Sequence, residues 1–177
     1  MKYSKITIAG KVCTGKTTLL RLLEKKLSWP TFLTGKLFRQ YAAEQGLTLE
    51  AAEEQTEYLT KKVDYKMREL LKSPGNLIVD GWMSGIMANK NPQVLKVLLV
   101  CQDVIRYKRF AKREKITLGE AKKSVEERQN NWFKKIQQIH HVMDTTLNDE
   151  NTYDLVINTS YVTPQAVAKK VLDRLYP

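Results

Sequence analysis

A lysine and a threonine close a short glycine-containing segment near the amino terminus, and their spacing suits phosphate chemistry. Residues 10–17 read Gly-Lys-Val-Cys-Thr-Gly-Lys-Thr, which matches the G-x-x-x-x-G-K-[ST] pattern of a P-loop. The two glycines allow a tight turn in which successive backbone N–H groups point at one anion. Lys16 can then reach the β- and γ-phosphates, and the Thr17 hydroxyl can ligate Mg²⁺. The segment predicts a site for a nucleoside triphosphate, ATP, with Mg²⁺.

The stretches on either side of the loop are those that such a site requires. An apolar run at residues 6–9 precedes it, and a leucine-rich helical pattern follows it. The first turn of that helix adds unpaired N–H groups and the positive end of its dipole. We expect the triphosphate to be surrounded by Gly10, Lys11, Val12, Cys13, Thr14, Gly15, Lys16, Thr17 and Thr18.

A carboxylate at the end of a later apolar run completes the expected metal site. Asp80 follows Leu-Ile-Val at residues 77–79, where an acid can hold the waters around the metal ion. Positioning and charge neutralisation carry most of phosphoryl transfer, so a phosphate acceptor needs no general base. The two histidines, His140 and His141, have no cysteine or carboxylate at ligand spacing, and we interpret them as packing residues.

Composition and charge limit the kind of protein that this chain can be and the kind of ligand that it can bind. With 177 residues and no apolar run of membrane-spanning length, the chain is expected to be one cytoplasmic domain and a monomer. Its two cysteines, Cys13 and Cys101, fit free thiols. The net charge is +11, and residues 106–135 hold eleven Lys and Arg against four Glu. This excess suits a nucleic-acid backbone or the phosphates of two nucleotides, and the P-loop favours nucleotides.

Apolar runs alternate with helical patterns along the whole chain, which is typical of parallel βαβ units. The expected strands are residues 5–9, 31–33, 76–80, 95–101 and 153–158. The expected helices are residues 16–27, 35–45, 49–71, 104–115, 118–143 and 164–175. We therefore predict a single α/β domain over residues 1–177, a three-layer α/β/α P-loop fold with a five-stranded parallel sheet. Two helical excursions, at about 34–73 and 104–143, would close over an acceptor and act as a lid.

Three further segments resemble one family of P-loop enzymes. Residues 34–39, Thr-Gly-Lys-Leu-Phe-Arg, resemble the T/S-G-x-x-x-R segment of nucleoside monophosphate kinases. Residues 104–114 and the pair Glu127-Arg128 resemble the lid of the same kinases. With the late strand at residues 153–160, the likeness covers nearly the whole chain and is strongest to the compact cytidylate kinases of archaea and some bacteria. It implies ATP-dependent phosphorylation of CMP or dCMP.

The resemblance also implies roles for residues near the donor nucleotide. Arg109 matches an arginine that lies over the base of ATP, and Arg113 matches one that contacts phosphates. Arg106 and Arg109 are three residues apart and share a helical face with Arg113. Arg128 matches a lid arginine that neutralises the transferring phosphoryl group, and Lys135 stands where a second one is expected.

Residues of the late strand and of the acceptor side complete the implied set. Asn158 and Thr159 would border the donor base. Thr34 can cap the coming helix, and it would hold the acceptor with Arg39 one turn later. The acidic Asp64 matches a position in the acceptor-clamp helix. The acceptor side would also include Asp80 and Trp82.

Three residues depart from the family pattern. Trp82 stands where an arginine often contacts the acceptor phosphate, so that contact is missing or comes from elsewhere, with Lys90 a candidate. Trp82 itself could stack on a base or line the pocket wall. Lys135 replaces an arginine, and an ammonium does not reproduce bidentate guanidinium contacts. Lys36 replaces an acid that often follows Thr-Gly.

These departures leave alternatives to CMP. The acceptor could be AMP, UMP or a nucleic-acid 5′-hydroxyl, and a hydroxyl would need a base near Asp80 or Asp64. A different class is a nucleotide-dependent nucleic-acid-binding module with little kinase activity, which the basic charge supports.

Overall fold

Parallel β-strands form the centre of the molecule. The computed structural model describes residues 2–46, 57–143 and 149–176. In these ranges one five-stranded sheet has the order β2-β3-β1-β4-β5, and every neighbouring pair is parallel. The strands are β1 (Lys5–Ala9), β2 (Thr31–Leu33), β3 (Leu77–Asp80), β4 (Val94–Val100) and β5 (Leu155–Asn158). The predicted five-stranded parallel sheet is confirmed.

Helices connect the strands and cover both faces of the sheet. They are α1 (Lys16–Leu27), α2 (Thr34–Glu44), α3 (Glu57–Lys72), α4 (Ser84–Ala88), α5 (Asp103–Glu114), α6 (Leu118–His140) and α7 (Pro164–Leu175). A 3₁₀ turn at Glu150–Thr152 precedes β5. None of the helices described has the length and apolar composition needed to cross a membrane.

Helix boundaries differ from the expected ones at a few points. The start of the predicted helix 49–71 falls within residues 47–56, which lie outside the described residues. The short α4 was not expected, because five residues give too little periodicity to separate a helix from a turn. Helix α6 ends at His140, short of the expected 143, because His141 adopts a left-handed conformation with φ of 54°.

Side-chain alternation along the strands explains the three layers. Ile6, Ile8 and Ile78 belong to a core that α1 and α7 cover. Val79, the neighbour of Ile78, belongs to a second core with Met67 of α3. Because successive strand residues point to opposite faces, the two cores lie on opposite sides of the sheet. This confirms the α/β/α arrangement and leaves the carboxyl ends of the strands open.

Helices α5 and α6 pack against each other at that open edge. Phe110 of α5 and Val125 of α6 form a small cluster with Val12 and Cys13 of the P-loop. A capping box fixes the start of α6, because Thr117 and Glu120 satisfy each other's backbone N–H groups. The basic helical pair therefore touches the P-loop directly.

Candidate active site

The P-loop connects the carboxyl end of β1 to α1 and depends on glycine at its first position. Gly10 has φ of 141°, and a Cβ there would lie 2.4 Å from the Leu99 carbonyl oxygen. Strand β4, which ends just after Leu99, pairs directly with β1. No other residue type can bring the loop this close to the neighbouring strand. Gly15, with φ of 100°, then opens α1.

Lys16 folds back over this loop. Its Nζ donates to the carbonyl oxygens of Gly10 at 2.7 Å and Lys11 at 2.9 Å. Removal from water lowers the pKa of the Lys16 ammonium, and the Asp80 carboxylate opposes that change. An anion placed beside Lys16 would stabilise its charged form further.

A hydroxyl and a carboxylate meet at the start of α1. The Thr17 Oγ1 donates to Asp80 Oδ2 at 2.7 Å, although the two residues are 63 positions apart. Asp80 is buried at the end of β3, beside Ile8 of β1 in the sheet register. Such hard oxygen atoms suit Mg²⁺. No cluster of three His, Cys, Asp or Glu side chains suited to a metal occurs in the described part of the chain.

A cleft of about 410 Å³ runs from the P-loop towards α2, α3 and α6. This volume is in the range of pockets for small ligands. Cations of the lining are Lys16, Lys36, Arg39, Arg109, Arg113 and Arg128. Asp80 is the sole carboxylate of the lining within the described residues. The cleft is therefore built for an anion with several charges.

Residues of the expected acceptor side also line this cleft. Thr34 does not cap α2 with its side chain as expected, because the helix begins at Thr34 itself and its Oγ1 donates to the Asp80 carbonyl oxygen at 3.1 Å. Arg39 and Lys36 also line the cleft. Lys90 is exposed beyond α4 and is absent from the lining. The described lining therefore includes Lys36 but not Lys90.

Trp82 forms part of the cleft wall. Its ring stacks on Trp132 of α6 at 3.9 Å between centroids and 8° between planes, and Phe133 lies 5.3 Å away. Both tryptophans line the cleft. Of the two readings of Trp82, the pocket wall is the one that this geometry favours, and the stack joins the end of β3 to α6.

Asp64 does not reach the cleft. Its Oδ2 lies 2.8 Å from His140 Nε2 of α6, and both side chains are less than a tenth exposed. Burial raises the pKa of Asp64, and the hydrogen bond to His140 opposes this effect. The assignment of Asp64 to the acceptor is therefore not supported, because α3 turns it towards α6. Thr60, one turn earlier, lines the cleft and was missed.

The basic residues of α5 and α6 separate into different positions. Arg113 and Arg128 line the cleft, with their guanidinium groups 5.0 and 5.8 Å from the Phe110 ring centre. Arg106 is 1% exposed and bonded to protein groups, so it does not follow Arg113 into the cleft. Lys135 is half-buried and is not part of the cleft lining, which leaves its expected catalytic role without support here.

Arg109 and Thr159 lie beside a second recess, of about 160 Å³, between α1 and the turn after β5. Arg109 Nη2 donates to the Thr159 carbonyl oxygen at 2.6 Å. Thr18 and Pro164 also line this recess. Asn158 does not line it, and its Oδ1 instead accepts from the Ser160 N–H at 3.0 Å. A flat base could enter here next to the P-loop, with Thr159 nearer to it than Asn158.

Comparison with known proteins agrees with this arrangement. Residues 6–130 match a protein family described as an AAA domain. The cytidylate kinase of Thermococcus kodakarensis is 33% identical over 97% of this chain and 89% of its own length. That of Methanobrevibacter smithii is 32% identical over 96% of this chain and 97% of its own.

One solved structure extends the likeness to the fold. A shikimate kinase from Acinetobacter baumannii superposes with a TM-score of 0.63 over 98% of this chain and 93% of its own, at 15% sequence identity. That identity is informative about the fold alone. The family match and the two sequence relatives, which agree with the P-loop and the cationic cleft, show that the chain belongs to the P-loop nucleoside monophosphate kinases, in the family of the archaeal cytidylate kinases.

Proposed function

We propose that this protein transfers the γ-phosphoryl group of ATP to CMP or dCMP. The observation that carries the proposal is a single cleft that is lined both by the P-loop and by Thr34 and Arg39 of α2. Such a cleft can hold a donor and an acceptor phosphate at the same time. The relatives named cytidylate kinase support cytidine as the acceptor base.

On the donor side, the P-loop backbone and Lys16 would hold the β- and γ-phosphates. Thr17 and Asp80 would hold Mg²⁺, Thr17 directly and Asp80 through water. The ion would neutralise charge on the phosphates. The adenine would enter the recess beside Arg109 and Thr159, where the guanidinium can face the ring.

On the acceptor side, Arg39 and Lys36 would bind the monophosphate and aim one of its oxygens at the γ-phosphorus. Arg113 and Arg128 would neutralise the charge that is redistributed during transfer. No side chain needs to remove a proton, because the attacking oxygen already carries charge. The contribution of the protein is therefore position and electrostatics.

A panel of acceptors tests the proposal. CMP, dCMP, UMP, AMP and a 5′-hydroxyl oligonucleotide would each be incubated with ATP and Mg²⁺, and ADP formation would be followed by a coupled assay. We expect the highest kcat/KM with CMP or dCMP. A higher value with another acceptor would overturn the base assignment, and salt-dependent oligonucleotide binding without ADP formation would overturn the kinase assignment.

Variants of two cleft residues, Lys16 and Arg39, test the assigned roles. Lys16→Ala should lower kcat by at least about 100-fold, because a group that stabilises transition-state charge is lost. Arg39→Ala should raise the KM for the acceptor by about 10-fold or more, with a smaller change in the KM for ATP. Lys90→Ala removes a lysine outside the cleft and is the control, expected to match the unmodified protein. An Arg39→Ala defect confined to ATP would contradict the placement.

A further inference from the structure

Three consecutive carbonyl groups of the P-loop accept hydrogen bonds from side chains outside the loop. The Val12 oxygen accepts from Arg106 Nε at 2.8 Å, and the Cys13 oxygen accepts from Arg109 Nη1 at 3.3 Å. The Thr14 oxygen accepts from the Thr159 hydroxyl at 2.8 Å. The donors come from α5 and from the turn after β5, so the loop is fixed by elements remote in sequence.

Each of these bonds sets the direction of a backbone N–H group. A trans peptide is planar, and its C=O and N–H point in opposite directions. The described chain has no cis peptide bond. When Arg106 holds the Val12 carbonyl on the α5 side, the N–H of Cys13 is directed to the other side, where Val12 and Cys13 line the cleft. That N–H is one of those a phosphate would use.

The backbone at Cys13 needs such an outside restraint. Its φ is 62°, a left-handed conformation that is unfavourable for a residue with a Cβ. Conformations of this kind persist where the surroundings fix them, commonly at binding sites. The Arg106 bond to the preceding carbonyl is in the right place to do so.

Each side-chain nitrogen of Arg106 donates to another protein group, and the side chain is buried away from any ligand. It is 1% exposed, and besides Val12 it contacts Asp103 and, through Nη2 at 3.1 Å, the Gln129 side-chain oxygen. Gln129 follows Arg128, which lines the cleft. A buried guanidinium is tolerated because each of these groups accepts one of its hydrogen bonds. Its planar fork therefore connects the P-loop to α6.

We propose that Arg106 is a positioning residue for the donor: it holds the Val12–Cys13 peptide so that its N–H is presented to the phosphates of ATP. It acts through the P-loop and does not touch either nucleotide. The inference rests on the proposed function only in taking ATP as the donor, and it does not depend on which acceptor is used.

The test measures ATP binding directly, without an acceptor, by titration calorimetry. Arg106→Met should weaken ATP binding by about tenfold, as expected for one lost charge-assisted bond. Arg106→Lys keeps the charge but cannot bond to Val12 and Gln129 at the same time. Its Kd for ATP should therefore lie between that of the unmodified protein and that of Arg106→Met. At saturating ATP, the acceptor KM of both Arg106 variants should stay within about twofold of that of the unmodified protein. This result would separate an effect on the P-loop from a defect of the whole fold.

Three controls keep the result interpretable. Lys108→Met removes an exposed cation from the same helix and should leave the Kd for ATP unchanged. Gln129→Leu leaves the Val12 bond in place and should weaken ATP binding less than Arg106→Met does. Circular dichroism and thermal melting establish whether each variant is folded. If Arg106→Met does not fold, Arg106→Lys is used as the test variant in its place.

The proposal is overturned if folded Arg106→Lys and Arg106→Met bind ATP like the unmodified protein, or if Lys108→Met causes the same loss. Equal losses for ATP and acceptor would also overturn it, because they would indicate a structural defect alone. Unmodified protein that binds ATP but phosphorylates no monophosphate would refute the proposed function and leave this test intact.

Discussion

Two arginines three residues apart on α5 show how residues of one face can have separate roles. Arg106 is enclosed by Val12, Asp103 and Gln129, whereas Arg109 borders both the cleft and the smaller recess. The sequence predicts that they share a face, because their spacing is helical. The sequence cannot show which carbonyl or side chain each arginine will contact. Residue spacing therefore predicts which side chains are candidates for the site, and the packing of the folded chain determines where each of them lies.

Alanine substitutions test whether the P-loop needs glycine at residue 10 more than a helix needs it at a surface position. Gly10→Ala should destabilise the fold by about 2 kcal/mol or more, because its Cβ would meet the Leu99 carbonyl and φ is strongly positive. Urea unfolding of the variant measures this change in free energy.

Gly119→Ala is the matched control, since it lies in α6 with no atom within 4 Å of the added Cβ. It should stabilise the protein by up to about 1 kcal/mol, because alanine favours helix over glycine. Equal stability for the two variants would show that the contact with β4 does not constrain Gly10.

At the scale of elements, strands were easier to predict than the contacts between helices. The apolar runs of β1 and β3 are unmistakable because both faces are covered. The pairing of Asp64 with His140 joins α3 to α6 across 76 positions, and no local pattern in either helix reveals it. The same holds for the Trp82–Trp132 stack.

That stack gives an optical signal for cleft occupancy. The chain has three tryptophans, of which Trp29 is in the core and Trp82 and Trp132 line the cleft. A bound acceptor should change tryptophan fluorescence, because it alters the surroundings of the stacked rings. Titration with the preferred monophosphate measures the change.

Single replacements assign the signal. Trp29→Phe should keep the response, whereas Trp82→Phe and Trp132→Phe should each lose most of it. A response that disappears only with Trp29→Phe would place the fluorescence change in the core and contradict the assignment of the stack to the cleft wall.

The buried pair between α3 and α6 predicts a pH dependence of stability. The pKa of Asp64 is raised above its ordinary value of 3.8, so the folded protein holds this proton more tightly than the unfolded chain. The stability due to the protonated carboxyl is complete below about 3.8 and is lost as the pH rises through the folded pKa. Asp64→Asn cannot ionise and does not share this loss.

Urea unfolding at about pH 4 and about pH 7 measures the effect. The stability of the unmodified protein relative to Asp64→Asn should fall over this interval, because the pKa of Asp64 is raised in the folded protein. Asp173→Asn removes an exposed carboxylate and controls for the change in net charge. A rise in relative stability with pH would show that the bond to His140 outweighs burial.

At the scale of the whole molecule, charge is concentrated where the ligands are expected. The net charge is +11, and the described lining of the cleft has six Lys and Arg against one Asp. Composition alone left nucleotides and nucleic acid open. Convergence of these cations on one cleft of about 410 Å³ favours small phosphates, because a polymer backbone needs an extended groove.

Ionic strength should therefore act on binding more than on folding. Raising KCl from about 50 to about 500 mM should increase the KM for ATP several-fold, since screening weakens attraction into the cleft. Urea unfolding at both salt concentrations checks that the fold is unchanged. A KM that does not vary with salt would argue against an electrostatic origin of nucleotide affinity.

Strand β1 lies at the middle of the sheet, between β3 and β4, and all five of its residues are buried. In terms of amide hydrogen exchange, such a strand opens only when the whole protein opens. We therefore expect the P-loop to be attached to one of the slowest-exchanging strands among the described residues. Under the proposed function, we expect the peripheral helices to move as nucleotides enter and leave, while the P-loop keeps its shape.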